Sequence, residues 1–121
     1  MKVLIIEDQE ALRKVLRDKL QIAGFETLVA KDGAEGWELA KISNPDVILL
    51  NVILPQKSAF DVVDALKQDP KLKDIPIFVL ADLGQEETLE KIAQMGVKDG
   101  FIVARTSIDD VVEKVKKTLQ P

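Results

Sequence analysis

The 121-residue chain contains no cysteine, no histidine and no tyrosine. Without cysteine there are no disulfides, thiolate nucleophiles or thiolate metal sites. Without histidine there are no Ser-His triads, His-ligated zinc or phosphohistidine carriers. Any phosphoryl chemistry must therefore start from Asp, Glu, Ser or Thr. Aromatics are scarce, at 4% of residues. No apolar run approaches the roughly 18 residues needed to span a bilayer. The opening MKVLIIEDQE turns acidic too soon for a signal peptide, so a cytoplasmic location and no membrane role are expected. There is no GxGxxG or Walker-type phosphate loop. Positive charge is not in excess either: 17 Lys and Arg stand against 21 Asp and Glu, a net charge of −4. That balance gives no basic footprint for nucleic acid.

What the chain does have is alternation. A 46% apolar composition over 121 residues suits one domain spanning 1–121. Short apolar runs at Val3–Ile6, Phe25–Val29, Val47–Leu50, Ile77–Leu80 and Phe101–Val103 read as strands. Between them lie segments with apolar residues three and four apart. Leu12, Val15, Leu16, Leu20 and Ala23 mark the first helix face; Ala34, Trp37 and Ala40 the second; Val62, Val63 and Leu66 the third. Leu89, Ile92 and Ala93 mark a fourth helix over Glu86–Met95, and Ile108, Val111, Val112, Val115 and Leu119 a fifth. Asp32, Ser58 and Ser107 are placed as N-caps, and Gly24 and Gly96 as C-terminal stops. Asn44-Pro45 and Asp69-Pro70 break the chain. Five uninterrupted βα units predict an α/β fold: a parallel sheet with helices on both faces.

In such a sheet, ligands bind outside the carboxyl ends of the strands. Glu7, Asp8 and Gln9 follow the first strand, Asn51 the third, Ala81 and Asp82 the fourth, and Ala104 and Arg105 the fifth. Glu7, Asp8 and Asn51 carry oxygens of the kind hard cations such as Mg²⁺ prefer. Taken singly, the acids also suit a helix N-terminus, and Asn51 a turn.

The stretches VLIIEDQEALRKVL, PDVILLNVILP and DIPIFVLAD, in this order over essentially the whole chain, resemble the receiver domain of bacterial response regulators of the chemotaxis-regulator type. The resemblance implies a flavodoxin-like three-layer (βα)5 fold with strand order 2-1-3-4-5. It also implies that Glu7 and Asp8 stand where the family binds Mg²⁺, with the backbone carbonyl of Ile53 as a further ligand. The phosphoacceptor Asp falls on Asn51, the hydroxyl residue ending the fourth strand on Ala81, and the Lys ending the fifth on Ala104. A one-residue shift puts Val103 in the Lys position instead. Arg105 takes the place of the usual proline after that Lys, Ala59 that of a small glycine, and Phe101 that of the aromatic on the fifth strand.

An amide is no nucleophile for an acyl phosphate, and the cation and hydroxyl that assist transfer are missing as well. The expectation is therefore a degenerate, pseudo-receiver form: not an enzyme, requiring no cofactor, with at most weak, vestigial Mg²⁺ binding at Glu7, Asp8 and Ile53. It would act through protein partners of a signalling phosphorelay. Phe101 reads as a partly buried packing aromatic, with an anchor on the interaction surface, together with Arg105, as its alternative; a homodimer through the last strand and last helix is a further expectation. One alternative is a normally phosphorylatable receiver inactivated by substitution at 51, 81 and 104. A more remote one is a flavodoxin-like small-ligand-binding protein. Asp82 reads as a loop acid or helix cap, with a substitute acceptor as its competing role.

Overall fold

The computed structural model describes residues 1–120, so the last position of the expected 1–121 domain lies outside the described residues. The elements alternate strictly: β1 (Lys2–Ile6), α1 (Glu10–Ile22), β2 (Glu26–Ala30), α2 (Gly33–Ser43), β3 (Val47–Asn51), α3 (Ala59–Gln68), β4 (Ile77–Ala81), α4 (Glu86–Ala93), β5 (Asp99–Ile102) and α5 (Ile108–Leu119). A 3₁₀ turn over Val103–Arg105 separates β5 from α5. All the strand pairings are parallel, and the sheet order is β2-β1-β3-β4-β5, as expected. No helix among the described residues is long and apolar enough to cross a membrane.

The central strands β3 and β4 are buried along their whole length, which is why their sequences are continuously apolar rather than alternating. Successive side chains go to opposite faces. One cluster gathers Leu4, Ile6, Ile48, Leu50, Val79 and Ala81 under α2, α3 and α4. The other gathers Val3, Ile5, Leu49, Phe78, Leu80 and Phe101 under α1 and α5. The side chains of Asp32, Ser58 and Ser107 accept from backbone N–H groups three residues on, at 2.8, 3.2 and 3.0 Å, so all three expected caps form. Gly24 and Gly96 take φ of +97° and +89°, the left-handed stops their positions required.

Three apolar residues expected on helix faces are exposed: Val15, Ala34 and Ala93. α1 is held by the buried Leu16 and Leu20, with Leu12 and Ala23 partly buried beside them, so of its expected face only Val15 turns outward among the described residues. α4 ends at Ala93 rather than Met95, so Ala93 lies in its last turn and faces solvent.

One close approach positions the loop between β3 and α3. The Gly33 N–H donates to the Pro55 carbonyl at 3.3 Å, and a Cβ on Gly33 would lie 1.9 Å from the Lys57 carbonyl oxygen. Only glycine lets α2 start this close to that backbone. Gly33→Ala should displace residues 53–57 and cost about 1–3 kcal/mol, the usual range for overpacking. Thermal denaturation, with amide hydrogen exchange at residues 53–57, reads both effects. An unchanged melting temperature with unchanged protection would refute the clasp.

Candidate functional site

The carboxyl ends of β1 and β3 meet in the middle of the sheet, where Ile6 pairs with Leu50. Glu7 continues the extended path of β1, its N–H donating to the Ala30 carbonyl at 3.0 Å. Its side chain is 0% exposed, and Asn51 is 5% exposed. The Asn51 amide nitrogen donates to Glu7 Oε1 at 2.6 Å, and Asn51 Oδ1 accepts the Ile53 N–H at 2.9 Å. The opposite amide orientation would set an oxygen against the carboxylate and an NH₂ against an N–H, so this one is fixed by its partners. The other Glu7 oxygen accepts the Gln9 N–H at 3.0 Å.

The buried acid is thus fully paired without a cation. Burial pushes the Glu7 carboxyl above its usual 4.5. Hydrogen bonds from Asn51 and Gln9 pull it back down, while Asp8 adds to the upward push. Asp8 itself is exposed. Arg13, which the sequence reading passed over, donates to the Glu7 carbonyl at 3.0 Å and to the Asp8 carbonyl at 3.4 Å, pinning the loop between β1 and α1. Its signal was available in retrospect: a basic residue one turn into the helix after an acidic strand end.

These donors fit Mg²⁺ poorly. Both Glu7 oxygens are engaged, Asn51 turns its nitrogen rather than its oxygen inward, and Asp8 is the one free carboxylate of the expected set. Among the described residues, no group of three or more acids is gathered to hold an ion. Ile53 is exposed, with its N–H committed to Asn51.

The far side of the site is set by the pairing of β4 with β5. Leu80 pairs with Phe101, and Ala81 with Ile102. Phe101 therefore belongs to the cluster under α1 and α5, while Ala81 belongs to the cluster under α2, α3 and α4. The two side chains leave the sheet on opposite faces. Ile102 and Gly100 share the Ala81 face of β5: Ile102 packs against that cluster, and a Cβ on Gly100 would lie 2.7 Å from Leu89 of α4. Phe101 is 8% exposed and stacks on Phe78, with ring centroids 5.9 Å apart and planes at 20°. Its ring is core rather than an exposed interface anchor.

The Lys position lies just beyond the end of β5. Leu49 lies on the α1–α5 face, so Asn51, two residues along the strand, projects to that side. Val103 packs against that cluster, whereas Ala104 is exposed in the 3₁₀ turn. Both positions lie in the 3₁₀ turn that follows β5, and neither carries an amine. Arg105 is exposed and lies 3.8 Å from Glu86 at the start of α4. Asp82 is exposed, and its N–H donates to Gln85 Oε1 at 2.8 Å in the loop before α4.

Comparison with known proteins agrees with the fold and the chain's order of motifs. Residues 3–116 match the model of the response regulator receiver domain. The polar-differentiation response regulator DivK of Brucella ovis is 32% identical over 117 residues, which cover 97% of this chain and 94% of that protein. The chemotaxis response regulator CheY4 of Vibrio cholerae superposes with a TM-score of 0.87 at 25% identity, over 98% of both chains. The Mn²⁺-bound form of response regulator Rcp1 superposes with a TM-score of 0.79 at 25% identity, over 96% of this chain and 89% of that one. Together with the sheet order and the acidic end of β1, these matches place the chain in the response regulator receiver domain family of two-component signalling.

Proposed function

We propose that this receiver domain, over residues 1–121, works without phosphorylation, as a protein-interaction module of a bacterial two-component pathway. The observation that carries this reading is the Asn51–Glu7 hydrogen bond. The position of the nucleophile holds an amide, and that amide is committed to a hydrogen bond with the buried acid beside it. An aspartyl phosphate needs a carboxylate to attack phosphorus. Transfer also needs positive charge to meet the developing negative charge on the phosphoryl oxygens. Val103 and Ala104 supply none, and Ala81 has no hydroxyl to bind a phosphoryl oxygen. The module needs no cofactor, works in the cytoplasm through protein partners, and binds neither nucleic acid nor membrane by itself.

Incubation with acetyl phosphate or phosphoramidate, followed by intact-mass and peptide mass spectrometry, tests this. The wild-type chain should gain no phosphoryl group; a label at Asp82 or any other acid would overturn the reading. The intact fold around the site also favours a second reading, a competent receiver silenced by substitution. The variant that examines it is Asn51→Asp with Ala81→Thr and Ala104→Lys. Labelling of that triple variant at position 51 would show that the rest of the machinery is whole.

A further inference from the structure

α2 and α3 pack side by side on one face of the sheet and leave a groove along their outer side. Trp37, Ala65 and Pro70 border a hollow of about 360 Å³ there. It shares Asp69 and Pro70 with a second hollow, of about 560 Å³, which reaches down to the buried Leu72. The two form one trough with apolar walls. Trp37 is the chain's only tryptophan, and it is partly exposed in that trough. Ala34, exposed one turn earlier on α2, adds no bulk to close it.

The charges beside the trough are not balanced. Helical spacing puts Asp61 and Asp64 on the α3 face that carries Ala65 and Gln68, and the Gln68 amide donates to Asp64 Oδ1 at 3.0 Å. Both acids are exposed, and neither has a base within ion-pair distance among the described residues. On the opposite wall, the one base of α2 is already neutralised: Lys41 pairs with Glu38 at 3.0 Å. Its ammonium lies 5.1 Å from the centre of the Trp37 ring, so that ring already serves as a seat for a cation. Lys71 stands apart, in the larger hollow. An apolar trough with unpaired acids along one wall complements a partner whose apolar face is edged by Lys or Arg.

We propose that the α2–α3 groove docks a basic amphipathic helix of a protein partner. The helix sets its apolar face against Trp37, Ala65 and Pro70, and its Lys or Arg side chains against Asp61 and Asp64. This surface rests on the interaction reading above and gives that interaction its partner chemistry. Acetyl phosphate labelling judges the reading; binding to the unphosphorylated chain judges the surface alone.

Trp37 emission reads occupancy directly, because the chain has no other tryptophan. The probe is a tryptophan-free peptide of about 15 residues, Leu and Lys in an amphipathic helical pattern, long enough to hold a helix once docked. Titration into the full chain should shift Trp37 emission to saturation, with one-to-one stoichiometry by calorimetry. A Leu and Glu twin of the peptide should bind at least about tenfold more weakly. Asp61→Lys with Asp64→Lys should weaken the Leu and Lys peptide by about tenfold or more. Ala65→Gln, which fills the trough without changing charge, should do the same. Glu26→Lys with Glu90→Lys makes the same charge change on β2 and α4, and should leave affinity within about twofold. Circular dichroism melts confirm that each variant is folded. No saturable shift in the wild type, equal binding of the twin, wild-type affinity in either groove variant, or an equal loss in the Glu26 and Glu90 variant would each overturn the proposal. So would a change in Trp37 emission on diluting the free chain alone, which would assign the groove to a second copy.

Discussion

Asn51→Asp should destabilise the protein by about 3 kcal/mol at pH 7, a fall of about 10 °C in melting temperature. The amide now donates to a fully buried carboxylate at 2.6 Å. Aspartate in its place sets a second negative oxygen against that carboxylate and removes the donor. A hydrogen bond to a charged group is worth about 1.5–3 kcal/mol before any repulsion is counted. The Ile53 N–H still finds an acceptor at position 51, so the loss is confined to the Glu7 side.

The pH dependence has a definite sign. Glu7 already holds its proton more tightly in the folded chain than its usual 4.5. Between 4.5 and that raised value, the folded state binds more protons than the unfolded one. Its contribution is therefore fully present below the unfolded value and lost as pH rises through the folded one. A neighbouring carboxylate raises the folded value further. The stability gap between wild type and Asn51→Asp should then widen from acid to neutral pH. Millimolar Mg²⁺, which binds between two carboxylates only in the folded state, should recover part of the loss in the variant and leave wild type within about a degree. Denaturant melts at several pH values, with and without Mg²⁺, read all three effects. Equal stabilities at neutral pH, with equal responses to Mg²⁺, would refute the assigned role of the amide.

Much of this site could be read in the sequence, because the signals are local. The acidic pair and Asn51 follow runs of apolar residues whose length marks strands, and the N-caps lie one residue before helical periodicity begins. The relief of charge repulsion by Asn51 also follows from residue types alone. Its partner does not: that the amide nitrogen turns to Glu7 depends on the Ile53 and Gln9 N–H groups taking the remaining positions. The face of Phe101 was illegible for a different reason. Side-chain direction in a strand has a period of two, and the β5 run F-I-V is apolar at every position, so no alternation fixes the register. Val15 misled in the opposite way. It satisfies helical spacing, yet Leu16 and Leu20 already fill the contact with the sheet.

Phe101→Ala should be the most damaging single truncation on β5, costing about 3–5 kcal/mol. The ring lies against Phe78 at 5.9 Å, within a cluster that draws on β1, β3, β4, α1 and α5. Its removal forfeits both buried area and a stacked pair, the latter worth about 0.5–1.5 kcal/mol. An exposed interface aromatic would behave otherwise: truncation would leave folding nearly unchanged and weaken association instead. Phe101→Leu, which keeps most of the apolar volume, should recover at least half of the loss. At the neighbouring position a Cβ on Gly100 would lie 2.7 Å from the Leu89 side chain, while Ile102 carries the Ala81 face of β5. Chemical denaturation of the two variants decides the point: a loss below about 1 kcal/mol in Phe101→Ala, far under the range for a buried aromatic, would return Phe101 to the surface as a candidate contact.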